Sequence, residues 1–174
     1  IGTCLVGSEM CIRDRISGSG SNLEAIAEAC RANRINGKIV CVISNNPDAY
    51  GIKRAQKFNL QSVVIDHNSF ASRTEFENKI ENSLDNYDVD LVVLAGFMRI
   101  LGENITKKYF GKMINLHPSL LPKYPGLDTH KKVIQNGDAI HGISIHYVTP
   151  ELDAGPIIAP VSYTHLTLPT RDEV

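Results

Sequence analysis

The run Leu91-Val92-Val93-Leu94-Ala95 constrains this chain more than any other stretch, because it is short and apolar at every position. A strand with one wet face alternates apolar and polar residues, so an unbroken apolar run needs cover on both faces. The flanking segments supply that cover. Leu23, Ile26, Ala27 and Cys30 recur at i, i+3, i+4 and i+7 and predict a first helix, and Ser72 to Leu84 predicts another, apolar at Phe76, Ile80 and Leu84. Strands are expected at Lys38 to Ser44, closed by Asn45-Asn46-Pro47, and at Ser62 to Asp66, Asp90 to Ala95, Lys112 to Leu116 and Ile140 to Val148. Further helices fall near Ala49 to Phe58 and Thr129 to Asn136. Helices separating short apolar strands imply an α/β fold with a Rossmann-like, doubly wound, mostly parallel sheet.

The alternation holds from Ile16 to Pro160 as one domain. Residues 1–15 lack a clear period, and Arg13-Asp14-Arg15 sets three charges before Ile16, where a buried strand is needed. Residues 1–15 and 161–174 are therefore expected to be a non-native leader and tail, leaving the domain of 16–160 truncated at its C-terminus. The front also lacks the basic start and sustained apolar core of a signal peptide. Lys+Arg 18 against Asp+Glu 19 gives a net charge of -1, which provides no basic field for nucleic acid or anionic lipid. An anion must be held by local geometry. The longest mostly apolar run, Leu91 to Met98, is far short of the ~20 residues that cross a bilayer. Cysteines 4, 11, 30 and 41 form no C-x-x-C pair, and no histidines cluster at zinc spacing. Neither a disulfide framework nor a metal site is expected, which fits a reducing cytoplasm.

Ser17-Gly18-Ser19-Gly20-Ser21-Asn22 falls where a first strand gives way to the first helix, the place at which a doubly wound sheet offers backbone N–H groups and a helix dipole to a phosphate. No third glycine follows at G-x-G-x-x-G spacing, so a monophosphate suits the loop better than a dinucleotide. The competing reading is a tight turn with a capping box, Ser21 as N-cap and Glu24 three residues on. Asn115-Leu116-His117-Pro118-Ser119 lies at the carboxyl end of a strand, the ligand-binding edge of such sheets. An amide donor and an imidazole there suit the oxyanion of a carbonyl substrate, whereas a lone strand-end histidine is more simply satisfied by backbone. Asp153, between apolar residues in Glu151-Leu152-Asp153-Ala154-Gly155-Pro156, is expected to be desolvated. It can take a proton from an amine or orient His117, or merely cap the turn. His146 shares a strand face with Ser144, behind the site or facing water, while His130 and His141 carry no special signal. Met98, Arg99, Ile100 and Leu101 offer an apolar wall with one cation, or simply core; Arg73 reads as a solvated helix start.

With these residues in hand, Ile16 to Pro160 closely resembles the folate-dependent formyltransferases, and among them those that act on a glycinamide ribonucleotide. The carrying motifs are Ile16 to Leu23, Ala95-Gly96-Phe97-Met98-Arg99-Ile100-Leu101, Asn115 through Gly126, and Gly142 through Gly155. The resemblance implies the formyltransferase fold and transfer of a formyl group from 10-formyltetrahydrofolate, a cosubstrate, to the glycinamide amine in purine synthesis. It further implies Asn115, His117 and Asp153 as the catalytic trio, with Asn115 and protonated His117 stabilising the oxyanion, Asp153 assisting proton transfer and Ser144 in support. Gly20, Ser21 and Asn22 would bind the ribonucleotide phosphate. Arg73, Met98, Arg99, Ile100 and Leu101 would line the folate site, with Thr149, Pro150, Glu151 and Leu152 closing over it. The partners implied are these two small molecules, with no metal, nucleic acid or membrane, for a cytoplasmic monomer or homodimer.

Three departures stand out. Pro150 replaces the usual acidic residue, the first strand is not the usual apolar one, and the strand and helix that follow Pro160 in the family are not found. Rival readings are a formyltetrahydrofolate deformylase, which uses water as acceptor, a methionyl-tRNA formyltransferase, disfavoured by the neutral charge, and an inactive folate- or nucleotide-binding fragment.

Overall fold

A computed structural model describes residues 10–16, 20–87, 89–97 and 100–163. The expectations on Ser17 to Ser19, Met98, Arg99 and most of both chain ends lie outside these residues. Strand β1 (Met10–Ile16) leads into α1 (Ser21–Arg31), β2 (Gly37–Ser44), α2 (Tyr50–Lys57) and β3 (Ser62–Val64). After a 3-10 turn at His67–Ser69 come α3 (Arg73–Asp85), β4 (Leu91–Leu94), α4 (Glu103–Lys108), β5 (Met113–His117), α5 (Thr129–Asn136), β6 (His141–Tyr147) and β7 (Ile157–Tyr163). The sheet order is β3-β2-β1-β4-β5-β6-β7. β1 to β5 run parallel; at one edge β6 pairs antiparallel with β5 and β7 antiparallel with β6.

The apolar run now has its explanation. Alternate residues of β4 face opposite layers: Val92 and Leu94 join Phe76, Ile80, Leu84 and Ile105, while Val93 joins Leu23, Ala27, Ala55 and Phe58. Helices α3 and α4 contribute to one layer and α1 and α2 to the other, which is the two-sided cover the run requires. The strand order reverses between β1 and β4, and ligands of doubly wound sheets bind at the carboxyl ends of strands beside such a switch point.

Helix starts differ from the sequence expectation in one respect. At α1 the capping box does not form: Gly20, left-handed at φ 72°, is the N-cap, and no side chain caps the helix. Glu24 instead pairs with Arg54 and Lys57 of α2, two cations that outbid a bond back to its own helix end. A related arrangement caps α3, where the Ser72 hydroxyl accepts from Glu75 N–H and the Glu75 carboxylate accepts from the N–H of Ala71, one residue before the N-cap, both at 3.2 Å. A Cβ on Gly20 would stand 2.5 Å from Gly51 Cα, so glycine also permits the close approach of α1 to α2.

The ordered elements extend past both expected domain boundaries. β1 runs through Met10–Ile16 despite Arg13-Asp14-Arg15, paired with β2 and β4 on either side. Ladder bonds are made by backbone groups, so the charge run does not prevent pairing. β7 continues past Pro160, a residue tolerated on an edge strand because its missing N–H is not needed there.

Candidate active site

Residue by residue, the carboxyl ends of β4 and β5 deliver the chemistry. Asn115 and His117 are two apart on β5, on one face of the sheet. The chain after His117 doubles back through Ser119 to Gly126. Ser144 of β6 fastens that turn, its hydroxyl donating to the Ser119 carbonyl at 2.8 Å and accepting from Leu121 N–H at 3.0 Å. Ser119 in turn donates to the Lys123 carbonyl at 2.6 Å. The Tyr124 carbonyl is thereby brought 2.9 Å from His117 Nε2. The Tyr124 hydroxyl is held from outside, donating to Asp138 at 2.9 Å and accepting from Asn136 at 3.0 Å.

Asp153 arrives from the loop between β6 and β7, in the left-handed region at φ 51°. A Cβ at Gly155 would collide with the Tyr147 carbonyl, so glycine lets this loop lie against the end of β6. Asp153 Oδ2 accepts from Gly126 N–H at 2.8 Å and lies 3.3 Å from His117 Nδ1. Its Oδ1 lies 3.4 Å from Asn115 Nδ2 and 3.6 Å from His146 Nε2. The side chains of Asp153 and His117 are only 7% and 6% exposed, so the desolvation expected of Asp153 is present. Burial pushes the Asp153 carboxyl up, but the His146 ring beside it, the bond from Gly126 N–H and the neighbouring His117 imidazole outweigh it. The group is held below the ordinary carboxylate value.

Both nitrogens of His117 face acceptors, the Tyr124 carbonyl and the Asp153 carboxylate, so a ring with a proton on each satisfies both.

Asn115, His117, His146 and Asp153 line a mostly apolar cavity of about 690 Å³ together with Phe97, Ile100, Leu101, Leu116, Val148 and Leu152. Of the residues expected at a folate site, Ile100, Leu101, Thr149, Glu151 and Leu152 line it. Arg73 and Pro150 do not; Arg73 donates to Glu77 on its own helix at 2.7 Å. Gly20, Ser21 and Asn22 stand at the start of α1, also outside the lining. Sequence reasoning left open what three histidines do. His146 is buried and faces inward against Asn115, and buried His141 meets His130 at 3.0 Å, with His130 on the cavity wall. The alternation that put Ser144 inward was the available signal for His146. Among the described residues no group of three or more His, Cys, Asp or Glu is placed to hold a metal ion, and no helix is long and apolar enough to cross a membrane.

The sequence matches the formyl transferase family over residues 14–172. It is 48% identical over 143 residues to phosphoribosylglycinamide formyltransferase of Escherichia coli K12, covering 82% of this chain and 68% of that protein. Among solved structures, phosphoribosylglycinamide formyltransferase of Coxiella burnetii superposes with a TM-score of 0.88 at 46% identity, covering 95% of this chain and 77% of the other. Glycinamide ribonucleotide transformylase 1 of Symbiobacterium toebii gives 0.88 at 38% identity, covering 91% and 75%.

Proposed function

We infer the reaction from the lineage: the chain belongs to the formyl transferase family, and it moves a formyl group from 10-formyltetrahydrofolate to the primary amine of phosphoribosylglycinamide, in purine biosynthesis. The observation that carries this reading is the convergence of Asn115, His117 and Asp153 on a mostly apolar cavity. The donor set fits the folate: flat aromatic rings suit the walls made by Phe97, Leu101, Leu116 and Val148, and polar groups gather at one end. When bound, the folate supplies a formyl carbonyl attached to a nitrogen that must leave.

The chain's own groups then have separate tasks. Asn115 donates an amide hydrogen to the carbonyl oxygen as it gains charge, and His117 adds a positive charge within the same water-poor wall. Asp153, ionised at neutral pH, takes the proton that the attacking amine must shed and returns it to the departing nitrogen as the carbon–nitrogen bond breaks. Ser144 holds the turn that carries the Tyr124 carbonyl, and so holds His117. For the acceptor's phosphate we assign Gly20, Ser21 and Asn22, where the first N–H groups of an eleven-residue helix lack partners within the helix. Thr149, Glu151 and Leu152 close the folate side; Pro150, Arg73, Met98 and Arg99 are assigned there on resemblance. The enzyme is read as cytoplasmic, working on two small molecules.

This anion-ready helix start favours the phosphorylated amine over water as acceptor, and so transfer over hydrolysis. The test is turnover of both substrates with the formylated ribonucleotide identified by mass spectrometry. Asn115→Ala is expected to lower kcat by ~10²- to 10³-fold, the usual cost of one oxyanion donor. A loss below about tenfold would take Asn115 out of the chemistry.

A further inference from the structure

Asn115 stands opposite His146 in the β5–β6 ladder, and the buried His146 ring meets a different partner at each nitrogen. Nδ1 lies 2.8 Å from the Tyr147 carbonyl, which can only accept, so a neutral ring carries its proton there. Nε2 then presents a lone pair, and Asn115 Nδ2 lies 3.1 Å from it. The amide end that faces His146 is therefore the donor end. We propose that His146 is a positioning residue for the reaction above: its neutral ring, protonated on Nδ1, accepts one hydrogen of the Asn115 amide and fixes which end of that amide serves the reacting oxygen.

The second amide hydrogen points toward Asp153 Oδ1 at 3.4 Å, a long contact that an incoming oxygen with growing charge can replace. A flipped amide would set its own oxygen against the Nε2 lone pair and against the carboxylate. It would also meet an oxyanion with an acceptor. While Asp153 is ionised, both partners oppose the flip. Once Asp153 has taken a proton it can donate to the amide oxygen, and then only the His146 contact favours the productive orientation. A protonated His146 would donate toward Asp153, 3.6 Å away, and release the amide, so the positioning role belongs to the neutral ring.

The assignment rests on the formyl-transfer reading, but its first test does not. Nitrogen-15 spectra of the unsubstituted full chain near neutral pH should show His146 with its proton on Nδ1 and a bare, hydrogen-bonded Nε2. A proton on Nε2 overturns the proposal. The kinetic test compares two variants of folded chain. His146→Leu is expected to lower kcat by ~10²-fold, the scale of a misplaced catalytic group, with KM for both substrates changed by less than about threefold. His146→Gln, whose amide oxygen can accept from Asn115, is expected to recover most of that loss. Unchanged kcat in His146→Leu, an effect on KM alone, or a Gln variant as slow as the Leu variant each overturns it. If His146→Leu fails to fold, the tautomer and the Gln variant decide. The predicted tautomer in a chain without turnover would support the contact and remove the reaction.

Discussion

Asp153 concentrates the site's chemistry in one side chain, because its two oxygens reach His117, Asn115, His146 and the Gly126 N–H. A carboxyl held below its ordinary value is ionised when the amine needs a base. Its stabilising contribution to the fold is complete above the unfolded value of ~3.9, and it is lost only as pH falls through the lower folded value. Asp153→Asn keeps the size of the group and removes the base. Its kcat is expected to fall by ~10²- to 10⁴-fold, with far-ultraviolet circular dichroism unchanged. A folded Asn variant within tenfold of the parent would show that the amine sheds its proton elsewhere. Asn115, His117 and Asp153 stood out in the sequence because each has a telling local setting, a strand end or a turn between apolar residues, and the fold brings the three side chains together. His146 did not, because its task is set by an antiparallel register that brings it opposite a residue 31 positions earlier.

At the scale of elements, β6 does more than its alternation disclosed. Its first residue, His141, is 1% exposed, meets His130 of α5 and packs edge-on to Tyr163 of β7. Burial first, and then the charge of His130, pushes the His141 imidazole below the ordinary histidine value. The sign follows from proton counting: as pH falls, the unfolded chain takes up a proton at its ordinary value of ~6.5 while the folded chain does not. The contribution to stability is thus complete above that value and is lost as pH falls toward the lower folded one. The urea midpoint is expected to drop between about pH 7.5 and about pH 5.5, and His141→Gln should flatten the drop. An undiminished drop in that variant would place the cause elsewhere. Helix boundaries were mostly readable because Phe76, Ile80 and Leu84 mark a buried stripe, and the same residues are buried. α4 escaped notice because Glu103–Lys108 is too short to show a period, with only Ile105 and Thr106 buried.

For the whole molecule, the doubly wound sheet was legible because its strands are separated by helices of the right length, and the same alternation fixes which strand ends converge on the cavity. What the pattern obscured was the extent of an inner strand of the sheet. β1 has a neighbour on each side, with Arg13 opposite Val92, Asp14 opposite Val93 and Arg15 opposite Leu94. Parallel strands in that position ordinarily read as continuous apolar runs, so three charges erased the signal.

The central claim is that this site passes a formyl group to an amine rather than to water. The most direct measurement is the absorbance change of 10-formyltetrahydrofolate mixed with the folded chain, with and without phosphoribosylglycinamide. Turnover should appear only when the ribonucleotide is present. Equal turnover in its absence would make water the acceptor and the protein a hydrolase, and no turnover in either case from a folded chain would contradict catalysis itself.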